Sequence, residues 1–224
     1  MKSSNITDVL NGTSISGFLK IERMIFSCDF FPCIDYMRHL LREEEFWLNT
    51  GEQYIKQSYH TRAYVLGPHQ VEVLSVPVKK YSNHALIKDI QIDNSSDWGR
   101  KNWKTIENCY RNSPYFEHFE PYIYPLFSKK YEELLVLNKE SLTICLKLMK
   151  VKKTICHQDF SYYDYKDQFI RFNAKRREEN ADNLPFLSYP QNFGSAFVSN
   201  LSILDLLFMK GLESRDIVMG NIFV

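Results

Sequence analysis

The residues best suited to chemistry form one short run, YIKQSYHTR, at positions 54–62. If this run is a regular strand, alternation places Tyr54, Lys56, Ser58, His60 and Arg62 on one face, with successive members of that face about 6 to 7 Å apart. Such a row suits an extended anion, because arginine binds a phosphate or carboxylate through two N–H groups and lysine acts as a point charge. The same alternation also fits a solvated strand face whose charges keep the protein soluble.

Further charged residues interrupt apolar segments. Lys88 and Asp89 lie within LIKDIQI, and in a strand they point to opposite faces, so one of them faces the interior. A buried charge needs a partner, and such pairs occur both in functional sites and in structural ion pairs. Asp205 is the lone charge of SILDLLFM. It fits a first-turn acid of a helix capped by Ser202, and it also fits a catalytic base or an acceptor of a substrate hydrogen bond.

Several common kinds of site have no support in the sequence. The six histidines form no HExxH or HxH motif, and GxSxG, GxxxxGK[ST] and GxGxxG are absent. Five cysteines without CxxC spacing indicate reduced thiols, so we expect neither a metal site nor a cofactor. Cys33 follows a predicted strand and opens a predicted helix, where the helix N-terminus favours a thiolate. A cysteine nucleophile therefore stays open.

The composition limits the class of protein. Of 224 residues, 28 are Lys or Arg and 27 are Asp or Glu, so the net charge of +1 excludes general adhesion to nucleic acid as the main activity. We expect residues 1–17 to be a mobile polar leader and residues 18–224 to form a single globular domain. The leader has no apolar region, and no long uncharged apolar stretch follows. We therefore expect a cytoplasmic protein without membrane insertion.

The apolar pattern predicts strands first and helices afterwards. Alternating or continuous apolar runs predict strands at 21–28, 46–49, 54–66, 71–78, 86–92 and 152–157. Helical periodicity predicts helices from Pro32 to Leu41 and at 97–112, 130–150 and 200–212. This order predicts an α+β fold. A mixed or mainly antiparallel β-sheet from the N-terminal half would be covered by helices of the C-terminal half.

Seven blocks of the chain, in the same order, resemble the WbqC-like family of bacterial proteins in its shorter form. The blocks are FFPCIDY (30–36), YIKQSYHTR (54–62), LSVPVKK (74–80), LIKDIQID (86–93), the 98–110 segment with SPYFEHF (113–119), KKYEELLVLN (129–138) and YPQNFGSAFVSNLSILDLLF (189–208). They span nearly everything from residue 24 to residue 210.

The resemblance implies a role in making O-antigen or other surface polysaccharides. Family members are proposed to transfer glycine or another acyl group onto the amine of a nucleotide-linked amino sugar. The substrate-binding residues implied by the motifs, with His60 added from the cationic row, are Lys56, Gln57, Tyr59, His60, Arg62, Lys88, Asn200 and Asp205. Two positions depart from the family pattern: Thr61 stands where Asn is common, and Asn102 where His is frequent.

The resulting hypothesis is an N-acyl or aminoacyl (glycyl-type) transferase whose partners are a nucleotide sugar and an acyl or aminoacyl donor. Asp89 and His84 are the predicted proton acceptors, because both lie on or beside the strand predicted at 86–92. One alternative is a non-catalytic sugar-nucleotide binding or scaffolding subunit, which Asn102 favours. Another is an acyl transferase or hydrolase that depends on Cys33.

Overall fold

The computed structural model describes residues 24–160, 169–176 and 188–220, so the predicted leader lies outside the described residues. The strands are β1 Ile25–Phe26, β2 Phe46–Asn49, β3 Arg62–Leu66, β4 Val71–Ser75, β5 Ile155–Gln158 and β6 Phe169–Ile170. The helices are α1 Ile34–Arg42, α2 Trp98–Tyr110, α3 Phe116–Ile123, α4 Pro125–Ser128, α5 Leu134–Leu148, α6 Ile203–Lys210 and α7 Ser214–Met219. None of these described helices combines the length and the apolar character needed to cross a bilayer.

Four short parallel strands form the larger sheet, in the order β5-β2-β1-β6. Helix α1 joins β1 to its parallel neighbour β2, which is the crossover that parallel strands require. Phe26, Phe46 and Leu48 are fully buried, as expected for strands of a covered sheet. Because the strands are parallel, the segments that follow them all emerge at the same edge.

A second, antiparallel sheet is the hairpin of β3 and β4, whose last pair is Leu66 with Val71. Residues 67–70 form the hairpin turn, in which the Gly67 amide donates to the Gln70 carbonyl at 2.9 Å. Helix α2 packs on this hairpin. Its Asn102 side chain is bonded to the end of β4, because it accepts a hydrogen bond from the Ser75 amide and donates one to the Ser75 carbonyl.

The strand predicted at 54–66 is wrong for residues 54–61, which form turns before β3 begins at Arg62. Gln57 has a positive φ of 59°, which a regular strand does not allow. The Ser58 hydroxyl donates to the Ile55 carbonyl at 2.7 Å, a local bond that competes with strand pairing. Likewise, residues Ile87–Asp89 form a 3₁₀ helix rather than the strand predicted at 86–92.

The predicted α+β class is confirmed, and the arrangement of its sheets is only partly as predicted. The larger sheet is parallel, and it takes β5 and β6 from the C-terminal half of the chain. Those two strands pair with β2 and β1, more than a hundred residues away. Periodicity reports burial within one segment and carries no information about such distant partners.

Candidate active site

Polar residues follow each strand of the parallel sheet directly. Ser27 and Asp29 come after β1, Glu52 after β2, Asp159 after β5 and Arg171 after β6. In open parallel sheets, ligands bind in the crevice outside the carboxyl ends of the strands. The crevice lies beside the strand from which the sheet continues in both directions. Here β1 is that strand, with β2 on one side and β6 on the other. This edge is therefore the first place to look for a site.

The Ser27 hydroxyl is the centre of a buried cluster. Its Oγ lies 2.8 Å from Asp29 Oδ1, 2.9 Å from Glu52 Oε1 and 3.1 Å from His60 Nε2. A hydroxyl has one proton, so it donates to one carboxylate and accepts from the imidazole N–H. We call Ser27, Asp29, Glu52, His60 and Arg171 the carboxyl-edge cluster.

His60 has a fixed orientation in this cluster. The Ile55 amide donates to Nδ1 at 3.2 Å, so that nitrogen carries no proton. The imidazole proton therefore lies on Nε2, which faces Ser27 and is 3.3 Å from Glu52 Oε1. An Nε2–H cannot accept the serine proton, so this arrangement differs from a serine-hydrolase triad. His60 instead serves as a donor that holds the two groups in place.

Two asparagines hold the loops around the cluster. Asn138 of α5 donates to the Cys28 carbonyl at 2.7 Å and to the His60 carbonyl at 2.9 Å. Asn49, the last residue of β2, accepts from the Gly51 and Phe160 amides at 3.0 and 3.1 Å. The cluster thus rests on fixed backbone, as a catalytic arrangement requires.

The two carboxylates of the cluster have opposite pKa shifts. Burial raises the pKa of Asp29 to about 6; the nearby Glu52 charge adds to this, while His60, Ser27 and Arg171 oppose it. Burial also favours the protonated form of Glu52, but its interactions with His60 and Arg171 outweigh burial, and its pKa is lowered. Carboxyl pairs whose pKa values are pushed apart are typical of acid–base sites. Of the two, Asp29 has the pKa nearer to neutral, and Glu52 favours its ionised form.

Asp29 also has a free oxygen. Its Oδ2 is buried and accepts no hydrogen bond from any residue within the described ranges. Arg171 connects the cluster to solvent: its Nη2 donates to Glu52 Oε2 at 2.6 Å, and its side chain is 31% exposed. An unpaired buried carboxylate oxygen costs stability, and such costs are typical of functional sites.

An ion pair lies on the exposed rim of the same edge. Lys88 pairs with Asp159, which also accepts a hydrogen bond from the Thr50 hydroxyl. The bond from Lys88 lowers the pKa of Asp159, and Thr50 lowers it further. In the part of the chain that the structure describes, no three side chains are grouped as metal ligands.

The cationic row predicted on one strand face does not exist, because residues 54–61 are turns. Lys56 and Gln57 are exposed, Arg62 is half-buried at the start of β3, and His60 is buried in the cluster. Tyr59 is buried next to Cys33, and its carbonyl accepts from the Phe30 amide. Of this run, the structure brings only His60 into the cluster.

The predicted proton acceptors lie elsewhere. His84 and Asp89 are exposed, and among the described residues no hydrogen bond joins either of them to the carboxyl-edge cluster. Lys88, their neighbour, lies on the rim through its pair with Asp159. Asn200 is buried behind α1, where its Oδ1 accepts from the Asp35 amide at 3.0 Å.

Asp205 belongs to a separate polar group. Ser202 caps α6 by accepting from the Leu204 amide, as predicted, and Asp205 is in the first turn. The Tyr110 and Tyr189 hydroxyls each donate to the Asp205 carboxylate at 2.6 Å. Gln191 adds a third donor at 3.2 Å. Burial raises the pKa of Asp205, and these bonds oppose the rise.

Cys33 does not have the expected thiolate environment. It lies before α1 as predicted, but it is completely buried, and burial raises its pKa well above the ordinary thiol value. A buried thiol of this kind is inert as a nucleophile.

Sequence reasoning missed Ser27, Asp29, Glu52 and Arg171. Polar residues directly after a short apolar run are the available signal, as in IFSCD and FWLNTGE. That signal becomes specific only once the runs are known to be parallel neighbours.

The chain matches the WbqC-like protein family over residues 28–180 and 161–217, which is most of its length. It belongs to that family. The WbqC-like region includes Asp29, Glu52, His60 and Arg171 of the cluster. The chain is also similar to the uncharacterized protein Rv1507c of Mycobacterium tuberculosis, at 22% identity over 221 residues, covering 86% of this chain and 95% of that protein. No solved structure matches.

Proposed function

We propose that this WbqC-like protein is an N-acyl or aminoacyl transferase that acts on the amine of a nucleotide-linked amino sugar, in O-antigen or other surface-polysaccharide synthesis. The carboxyl-edge cluster would be its active site. The observation that carries the proposal is Asp29, a buried carboxyl with a pKa of about 6, near the partly exposed Arg171; one of its oxygens accepts no hydrogen bond from the described residues.

The chemistry requires a base of this kind. An amino sugar carries an ammonium group near neutral pH, and its nitrogen must lose a proton before it can attack an acyl carbon. In the proposed step the nitrogen lone pair forms the C–N bond, the bond from the acyl carbon to the donor's leaving group breaks, and the amine proton moves to Asp29 Oδ2. A base whose pKa lies just below the working pH is ionised and still accepts the proton efficiently.

The cations at the edge fit the nucleotide part. Only one Arg171 nitrogen bonds Glu52, so its other N–H groups can bind a phosphate oxygen. Lys88 supplies a second cation on the rim. Lys56, Gln57 and Arg62 stay predicted substrate contacts. Asp89 and His84 are less well placed than Asp29, because neither is joined to the cluster within the described residues.

The proposed activity can be tested with defined probes. UDP-glucosamine carries a free amine and UDP-glucose does not, so we would incubate each with acetyl-CoA or with glycine and ATP and follow the product by mass spectrometry. The expected result is acylation of the amino sugar alone. Asp29→Asn should slow it by at least about 100-fold, the usual contribution of a general base, with UDP affinity retained.

The matched control is Asp216→Asn, which changes an exposed aspartate of α7 and should keep the full rate. Arg171→Ala should weaken UDP binding about 10-fold. An active Asp29→Asn variant would refute the assigned base. UDP-glucosamine binding without turnover with either donor would reject the transferase in favour of the binding-subunit alternative.

A further inference from the structure

A second cleft lies between α2 and the α3–α4 segment, and none of its lining residues belongs to the carboxyl-edge cluster. Its volume is about 800 Å³. Gly99 fixes its geometry, because a Cβ at this position would lie 2.0 Å from the Phe127 carbonyl oxygen. Helix α2 therefore touches the α4 backbone beside the cleft, and Phe127 itself lines it.

Aromatic rings form one wall of the cleft. Trp103 and Tyr124 meet edge to face with ring centroids 5.1 Å apart, and Phe127 lies 6.0 Å from Trp103. Tyr124 is 46% exposed although it lines a cleft. Trp103 is more than nine-tenths buried. The wall thus offers an apolar ring face, mainly that of Tyr124.

The charges in the cleft are nearly balanced. Three carboxylates (Asp97, Glu107 and Glu120) and two cations (Arg100 and Lys104) line it, so the lining strongly favours neither an anion nor a cation. Lys104 pairs with Glu107 at 3.5 Å, and the pair supplies both a donor and an acceptor of hydrogen bonds. An aromatic wall beside polar groups suits a sugar ring, which has an apolar C–H face and an edge of hydroxyls.

A smaller cleft of about 310 Å³ continues past Asp97, Phe127 and Ser128, which line both. It adds the exposed Ser96, whose hydroxyl can hydrogen-bond a sugar hydroxyl, and two lysines, Lys129 and Lys130, which leave the two signs of charge nearly balanced over both clefts. Because they share these three residues, the two clefts form one extended surface. We propose that this cleft binds an uncharged saccharide chain, at a site separate from the carboxyl edge. The proposal does not depend on the proposed transferase activity.

The test uses titration calorimetry with maltohexaose, cellohexaose and chitohexaose at millimolar concentration. We expect at least one of them to bind, and Tyr124→Ala to weaken that binding about 10-fold or more. The matched control is Tyr122→Ala: Tyr122 is 45% exposed in the same segment but lies against Lys147, outside the cleft. The Tyr122→Ala variant should bind the saccharide as tightly as the unaltered protein does.

Binding of UDP is measured alongside and should not change in Tyr124→Ala, so that failure of this proposal and failure of the transferase proposal are told apart. Equal loss of saccharide binding in Tyr124→Ala and Tyr122→Ala would overturn the assigned site. So would the absence of binding by all three hexasaccharides.

Discussion

Asp29 and Asp205 are both buried aspartates whose pKa is raised by burial, yet their surroundings differ. Asp205 receives hydrogen bonds at both oxygens from two tyrosine hydroxyls and one amide. Asp29 is bonded at one oxygen and free at the other within the described residues. Burial alone therefore does not distinguish the two aspartates, whereas the unpaired oxygen of Asp29 does.

The neighbours differ as well. The groups that donate hydrogen bonds to Asp205 are the uncharged side chains of Tyr110, Tyr189 and Gln191. Asp29 is influenced by Glu52, His60 and Arg171, all of which carry or can carry charge. A ligand phosphate that binds Arg171 would cancel a positive charge that lowers the pKa of Asp29. Substrate binding would then make Asp29 a stronger base.

The largest expected effect is on the structural side of this comparison. Asp205→Ala should lower the free energy of unfolding by about 4 kcal/mol, because it leaves two buried tyrosine hydroxyls without an acceptor. Urea denaturation measures this loss. A change below about 1 kcal/mol would mean that Asp205 does not hold its helices together.

The next effect is the pH dependence of stability. The pKa of Asp29 is higher in the folded protein, about 6, than in the unfolded chain, so its contribution is complete below about pH 4 and is lost as pH rises to about 6. Relative to Asp29→Asn, the protein should lose about 3 kcal/mol across this window. Parallel stability curves for the two proteins would contradict the raised pKa.

A smaller effect is expected from Tyr189→Phe. This change removes one of the three donors to Asp205 and keeps the ring that packs on Phe197, so it should lower the free energy of unfolding by about 1.5 kcal/mol.

Ser27→Ala is the matching change at the carboxyl edge. It should lower the rate of acyl transfer by a larger factor than it lowers the equilibrium constant for folding. The opposite ranking would remove the functional distinction between the two aspartates.

Local features of the fold could be predicted from the sequence. The strand at 46–49 agrees with β2, and the helix predicted at 130–150 contains α5, because each depends on the burial pattern of its own segment. The strand prediction is wrong at 54–61. The side chains of this run alternate as in a strand, but the positive φ of Gln57 interrupts the extended backbone. The sequence pattern places His60 in a cationic row, whereas the turn brings it into the carboxyl-edge cluster.

The cluster itself could not be predicted, because it depends on pairing between distant segments. Asp29 and Arg171 become neighbours only because Phe26 pairs with Ile170 across β1 and β6, two strands of two residues each. Strands this short leave almost no periodic signal. Asp205, in contrast, lies in a long apolar segment with a serine cap, and its position in the helix could be predicted.

The most direct test is an NMR pH titration of the Asp29 side-chain carboxyl carbon, with its signal assigned by comparison with Asp29→Asn. A midpoint near pH 6 that rises when UDP is added would support Asp29 as the proton acceptor beside a phosphate-binding Arg171. A midpoint near the ordinary aspartate value of about 3.9, unaffected by UDP, would contradict it.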